Sequence, residues 1–385
     1  MRIQTTLYRP ESGWSLAPDP TLDSPSTLVL GFGAAGLGAE AAPFDALRQT
    51  FPNAVLLGCS TAGEIAGVEV HDDCLSVAAI HFEHTQLRHA SAEVASAAHS
   101  AEAGSHLARQ LAPPTDDGEV LRAVFVLSDG LGVNGSSLVQ ALVGALPDGV
   151  SVSGGLAGDG DRFGQTWVLD QGARQAGRVC AVGLYGSRLQ LGNGCDDGWH
   201  DFGPLRRITR SEGNVLYELD GQPALDLYTT YLGKLASGLP GAALLFPLAV
   251  HRPGSDDRPV VRTILGIDSA AKTMTFAGDI PQGHEARLMR STDEHLIASA
   301  EAAMTQALAP LSGCDDALVI TVSCVGRRLM LGERTDEELE GVQRASAGRV
   351  HHLGFYSYGE IAPGFDGGCS ELHNQTITVT SFAER

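Results

Sequence analysis

Gly58-Cys59-Ser60-Thr61-Ala62-Gly63-Glu64-Ile65-Ala66 follows an apolar strand pattern, Ala54-Val55-Leu56-Leu57, with a turn of small and polar residues. Gly58 and Gly63 let the backbone turn tightly or approach a ligand closely. Two hydroxyls, a thiol and a carboxylate fall within seven positions, and ligands of open α/β sheets collect at the carboxyl ends of strands. Cys59, Ser60, Thr61 and Glu64 are therefore candidate ligand contacts. A turn of this composition can also use its hydroxyls to satisfy its own backbone.

The pattern around this turn recurs. A strand at Thr27-Leu28-Val29-Leu30 stops at Gly31-Phe32-Gly33, and a helix at about 44–50 fits the spacing of Phe44, Leu47 and Phe51. Two strands follow at about 74–83 and 86–94, then a helix at 98–111. Next come a strand at Leu121–Leu127, a helix at Ser136–Ala145, and a strand at Val150-Ser151-Val152 running into Ser153-Gly154-Gly155-Leu156-Ala157-Gly158-Asp159. Further strands are expected near 165–170, 178–187 and 188–193. Aligning Val55–Glu64 with Val150–Asp159 matches Ala62-Gly63-Glu64 to Ala157-Gly158-Asp159, at an offset of 95 residues. A third copy has a strand at Ala317–Val322 and a helix at Thr335–Ala345, with Thr335 as N-cap and Glu338 three residues on. Its second strand, His352-Leu353-Gly354-Phe355-Tyr356, enters Ser357-Tyr358-Gly359-Glu360-Ile361-Ala362. That turn matches Thr61-Ala62-Gly63-Glu64-Ile65-Ala66 nearly position for position, and Thr376–Phe382 is a last strand. Three such units point to duplication.

The expected fold class is α+β with α/β-like repeats: mixed β-sheets flanked by helices, in two domains built on internal strand–helix–strand–turn–strand repeats. Residues 1–26, rich in Pro, Ser and Asp, read as a loosely packed arm. The domains are expected at 27–215 and 216–385, divided where Gly213 and Gly221 punctuate a charged stretch. The middle differs from the repeats, with a helix at Ala224–Tyr231, strands at Ala243–Ala249, Val260–Gly266 and Met274–Ala277, and an Ala-rich helix at Ser291–Leu308 started by Ser291 or Thr292.

Composition narrows the function classes. The 385 residues carry 46 acidic and 26 basic side chains, a formal net charge of -20. No basic footprint exists to neutralise nucleic-acid phosphates or an anionic membrane. The seven cysteines show no CxxC or zinc-like spacing and read as free thiols of a reducing compartment. The start, Met1-Arg2-Ile3-Gln4-Thr5-Thr6, has no apolar signal segment, and the longest apolar-rich run, near Gly241–Val250, contains Pro247 and is too short to span a bilayer. A cytoplasmic protein is expected.

Neither a P-loop nor a complete dinucleotide fingerprint follows Gly31-x-Gly33. A catalytic Cys59 would need a nearby His or helix N-terminus, and a buried inert thiol is the plainer reading. The loop Ser128–Gly135 precedes a helix whose N-terminus attracts anions, while Asn134 or Ser136 can simply cap it. Thirteen histidines include no HxxxH spacing; adjacent His351 and His352 face opposite sides of a strand. Tyr356, Tyr358 and Glu360, with His373 and Asn374, form the richest polar-aromatic group of the C-terminal half, a mixture that suits small organic ligands. Gly155 and Asp159 supply the corresponding candidates of the second turn.

The segments Gly58–Ile65, Gly154–Asp159, Gly354–Ile361 and Leu372-His373-Asn374-Gln375-Thr376, in that order, resemble the FIST family over roughly residues 28–382. The first two are similar to the N-terminal FIST domain and the last two to the C-terminal one. The resemblance implies a sensory role with binding of small ligands such as amino acids. It also implies a partner such as a histidine kinase, chemoreceptor or cyclic-di-GMP enzyme, since no output segment is recognisable in this chain. Some stand-alone members of the family are haem-binding nitric-oxide sensors. The resemblance does not say which histidine would hold iron here; His373 is the candidate if haem binds. The leading expectation is a non-enzymatic sensor. Alternatives are a haem-based gas sensor and an enzyme using Cys59 or the carboxylates of Glu64, Asp159 and Glu360.

Overall fold

Leu28, Leu30 and Phe32 project to one side of the strand Thr27–Ala34, and Val29 to the other. The same division separates Phe125 and Leu127 from Val124 and Val126 in Leu121–Ser128, and Leu318, Ile320 and Val322 from Val319 in Ala317–Cys324. Side chains alternate along a strand, so a continuous apolar run must be covered on both faces. In the computed structural model, which describes residues 1–115, 117–239, 241–255, 258–311, 316–346, 350–365 and 367–385, one face of each strand meets the others in a shared interior. The opposite faces are covered by helices. Ala42–Thr50 covers the first sheet, Ser100–Leu111 and Gly135–Ala145 the second, and Asp293–Leu308 with Thr335–Ala345 the third.

The three sheets are built alike. Each has a parallel central pair: Thr27–Ala34 with Val55–Thr61, Leu121–Ser128 with Ser151–Leu156, and Ala317–Cys324 with Val350–Ser357. An antiparallel strand flanks each pair: Leu75–His81, Arg178–Tyr185 and Ile377–Glu384. Beyond it lies Arg2–Arg9, Gln86–Glu93 or Leu189–Asp196. Residues 1–26, expected as a loose arm, therefore supply a strand that pairs with Leu75–His81 over seven residue pairs. The alternation in Arg2–Arg9 is weak because only Thr6 and Leu7 of that strand are buried.

The turns hand their following strands to the next unit. Glu64–Ala66 pairs with Val350–Ser357 of the third unit. Gly359–Pro363 pairs with Ser151–Leu156 of the second, and Val168–Asp170 with Val55–Thr61 of the first. The exchange is cyclic and closes the three sheets around one core. Its register corrects the alignment at offset 95. Ile65, Ile361 and Leu169 occupy equivalent positions opposite Gly354, Gly154 and Gly58. Glu64 and Glu360 are therefore equivalent to Val168, and Asp159 lies in an added loop before the exchanged strand.

Gly58, Gly154 and Gly354 share a reason. A Cβ at any of them would overlap the carbonyl oxygen of Gly31, Val126 or Thr321 on the parallel neighbour. Gly354→Ala is expected to destabilise the protein by about 3 kcal/mol, because backbone must shift to admit the methyl. Urea unfolding should show a lower midpoint at unchanged slope.

The chain between His200 and Arg290 forms a second domain inserted in the third unit. Its nine-stranded antiparallel sheet packs its own core, including Ile208, Leu216, Tyr228, Met274 and Phe276. A division at 215/216 falls inside the strand Val215–Leu219, within the inserted domain. The strand expected from Ala243 begins only at Leu248, preceded by a 3-10 turn at Gly241–Leu245. Thr292 does cap its helix, accepting from the His295 amide. Thr335 does not: its hydroxyl donates to the Gly332 carbonyl, and Glu338 turns into the core rather than back to the helix start. Together the chain is α+β, with mixed sheets flanked by helices in two domains.

Candidate functional site

The first turn is closed on itself. Thr61 donates its hydroxyl to Glu64, whose other oxygen accepts from the Cys74 amide at 3.3 Å and thiol at 3.4 Å. Ser60 Oγ accepts from the Trp167 amide at 3.0 Å. Cys59 lies in the shared apolar interior, where burial raises its thiol pKa and suppresses thiolate. Arg328 covers Gly63, donating to the Ala62 carbonyl at 2.6 Å and to both oxygens of Asp72. The polar side chains of Cys59–Glu64 are thus engaged with protein groups, and none lines either of the two large clefts.

The second turn is also engaged. Gly155 packs under Val322 and Phe355. Asp159 accepts from the Gly164 and Gln165 amides at 2.9 and 2.8 Å and from the Tyr358 hydroxyl. Burial works to raise its pKa, but those hydrogen bonds hold it below the usual carboxylate range. Tyr358 stacks on Phe163 with centroids 4.5 Å apart, so it joins the third unit to the second. Tyr356 donates to Glu338 at 2.7 Å. Both tyrosines, expected as walls of a ligand pocket, hold strands and turns together. The Asn134 carboxamide caps Gly135–Ala145 by accepting from Ser137, so the loop Ser128–Gly135 is a cap rather than an anion cradle.

The third turn ends differently. Glu360 is fully buried, accepting from Ser357 at 2.6 Å and from the Thr376 hydroxyl at 2.8 Å. Burial pushes its pKa up to about 8 against those hydrogen bonds, and Glu64 is likewise pushed up to about 8. Opposite Glu360 in the exchanged hairpin stands His373, followed by Asn374 and Gln375. All three side chains are buried. His373 Nε2 meets the Ala362 carbonyl at 3.2 Å, while Nδ1 has no protein partner among the described residues. The same holds for both amide atoms of Asn374 and for Gln375 Oε1. Buried polar atoms of this kind cost about 1–3 kcal/mol each when unpaired. Gln375 has φ 61°, a left-handed conformation uncommon outside glycine, which directs its amide toward Leu244 and its carbonyl to the Trp199 indole.

These residues line neither of two adjoining clefts of about 730 and 620 Å³ but follow directly on Leu372, which lines the smaller one. The hairpin tip around Phe365 and Cys369 borders both. The larger cleft is bounded by the end of Gly135–Ala145 and by Asn193 and Cys195; the smaller by Ser136, Gln140 and arginines of the inserted domain. Phe365 packs edge-on against His373, with centroids 5.3 Å apart, and carries Arg258 on its face at 4.0 Å. The clefts therefore sit where the second unit, the third unit and the inserted domain meet. Glu360, His373 and Asn374 are brought together as expected from the sequence, whereas Gln375, Phe365 and the arginines were not singled out there. The positive φ at a side-chain-bearing residue is invisible in sequence, and the arginines lie about 110 residues from the motif they face.

Haem does not suit this arrangement. No histidine lines either large cleft among the described residues, and His373 packs against Phe365 with Nε2 at a carbonyl. Elsewhere, His89, Asp170 and Cys180 place possible ligand atoms within 4.8 Å of one another. Arg178 donates to Asp170 at 2.9 Å and sets a fixed positive charge beside any cation there, so the group reads as an ion-pair cluster.

One expected outcome follows from the buried acids. A carboxyl with a raised folded pKa stays protonated in the native state while the unfolded chain has already ionised. Its stabilisation is thus complete below about pH 4.5 and is lost as pH rises through about 8. Glu360→Gln should match wild type near pH 5 and gain on it by on the order of 2 kcal/mol at pH 9. Urea titrations at the two pH values measure the difference.

The model of the FIST N domain matches residues 27–222 and that of the FIST C domain residues 224–363. No curated protein matches the chain in sequence. Among solved structures, the crystal structure of cyanuric acid hydrolase from A. caulinodans is similar at 12% identity, over 78% of this chain and 99% of that one. The TM-score is 0.20. The two family matches adjoin at 222–224, inside the inserted domain.

Proposed function

The chain belongs to the FIST family, whose domains are sensory domains that bind small ligands, and on that premise we propose that it senses a small molecule held in the clefts beneath the hairpin tip. The observation that carries this reading is the row of buried, unpaired polar atoms on His373, Asn374 and Gln375, immediately after the cleft-lining Leu372 and with His373 packed on the cleft-lining Phe365. Natural cores rarely retain such groups without a partner, and functional sites are where that cost is tolerated. Ligand binding draws the inserted domain, the Gly135–Ala145 helix and the hairpin tip together. It shifts a domain equilibrium to the extent that affinity differs between the two states. The state is read by a separate signalling protein in contact with that surface, of the histidine-kinase, chemoreceptor or cyclic-di-GMP enzyme class. No helix of the described residues is long and apolar enough to cross a membrane, and the acidic surface disfavours nucleic acid. A haem reading lacks support from the cleft lining.

The test is calorimetry of the folded protein against a panel of small metabolites. At least one compound should bind with one-to-one stoichiometry and be displaced by alkylation of Cys369, the exposed thiol on the cleft rim. Absence of heat from every compound in a cooperatively melting sample would refute the proposal.

A further inference from the structure

We infer that the ligand of this cleft carries an oxyanion, a carboxylate or a phosphate, received by the guanidinium of Arg262. The inference rests on the reading of the cleft as the ligand site and specifies the chemistry admitted there. Arg262 ends the strand Val260–Arg262, lines the smaller cleft and is only 7% exposed. Its Nη1 donates to the carbonyls of Leu372 at 3.0 Å and Val261 at 3.3 Å, and its Nε to that of Asp279 at 3.3 Å. Among the described residues no carboxylate makes an ion pair with it, and its Nη2 has no hydrogen-bond partner. A buried cation is ordinarily paired, because loss of hydration costs several kcal/mol.

The neighbouring acids do not fill this role. Asp279 accepts from the Asn134 amide at 2.8 Å. Asp196 and Asp197 hold Arg258 at 2.8 and 3.0 Å. Glu371 also lines the cleft but stands beyond ion-pair distance of Arg262, and burial raises its carboxyl pKa against the pull of Arg262 and Arg252. A planar guanidinium held by three carbonyls is oriented to receive a carboxylate or phosphate. Gln140 of the facing helix offers a neutral amide to the rest of the molecule. The volume of about 620 Å³ suits a small organic acid or phosphate ester.

Titration calorimetry and thermal melts with sodium phosphate and with sodium malonate, against sodium chloride at matched ionic strength, test this. At least one oxyanion should bind one-to-one and raise the melting temperature beyond chloride, and which one does so identifies the group recognised. Arg262→Met should weaken that binding at least tenfold. Because the lost carbonyl contacts can destabilise that variant, Glu371→Gln is the second arm: it removes a like charge from the cleft and should tighten binding several-fold. Failure of both anions to bind, or affinity unchanged in both variants, overturns the inference. If a neutral or cationic metabolite from the panel still binds in the cleft, the sensory proposal survives that failure; if nothing binds, both fall.

Discussion

Arg327→Met is expected to lower the free energy of unfolding by about 3–5 kcal/mol, enough to consume much of a typical domain's stability. Arg327 is completely buried and pairs with equally buried Glu338 at 2.7 Å. Its remaining donors reach the Asp197 carbonyl at 2.7 Å, the Leu296 carbonyl at 2.8 Å and Ser299 Oγ at 3.0 Å. Glu338 in turn accepts from Ser323 at 3.0 Å and Tyr356 at 2.7 Å. One network thus ties both helices of the third unit to its parallel strands and to the segment that leads into the inserted domain. Removing the arginine leaves a buried carboxylate and two carbonyls without a cation, and the uncompensated charge dominates the loss. Arg327→Met combined with Glu338→Leu should recover part of it, since an apolar pair of similar volume carries no desolvation penalty. Urea unfolding of both single variants and the double variant measures the coupling.

The opposite sign is expected at Asn374. Both polar atoms of its side chain are buried without a protein partner, so Asn374→Leu removes a standing cost at similar volume. It should raise stability by about 1–2 kcal/mol while abolishing ligand binding. Few core substitutions stabilise, and a gain coupled to loss of binding marks a residue retained for function rather than packing. Gln375→Leu is a weaker test, since its Nε2 already donates to Leu244 at 3.0 Å.

Much of the fold was legible because its units are local. The similarity between Thr61–Ala66 and Ser357–Ala362 survives in the structure down to the hydroxyl-to-glutamate bond within each turn. Continuous apolar runs located the central strands, and Thr292 and Asn134 cap helices as their positions implied. The exchange of hairpins was not legible. Glu64 pairs beside Phe355, 291 positions away, and nothing in the turn itself names that partner. The added loop before Val168 displaced Asp159 from the place its neighbours suggested. Glu338 looked like a capping residue because the S/T-x-x-E spacing does not reveal whether the carboxylate faces the helix start or the core. At the candidate site the motif around His373 and Asn374 could be read directly. The arginines facing it could not, because they come from a domain inserted into the repeat.

The most direct test of the account is calorimetric titration of wild type and Asn374→Leu with the ligand selected from the metabolite panel, followed in parallel by the fluorescence of Trp199, whose indole donates to the Gln375 carbonyl at 2.9 Å. Wild type should show saturable one-to-one binding with a fluorescence change, and the variant, melting at or above the wild-type temperature, should show neither signal. Equal affinity in the two proteins would contradict this and place the sensory site elsewhere in the fold.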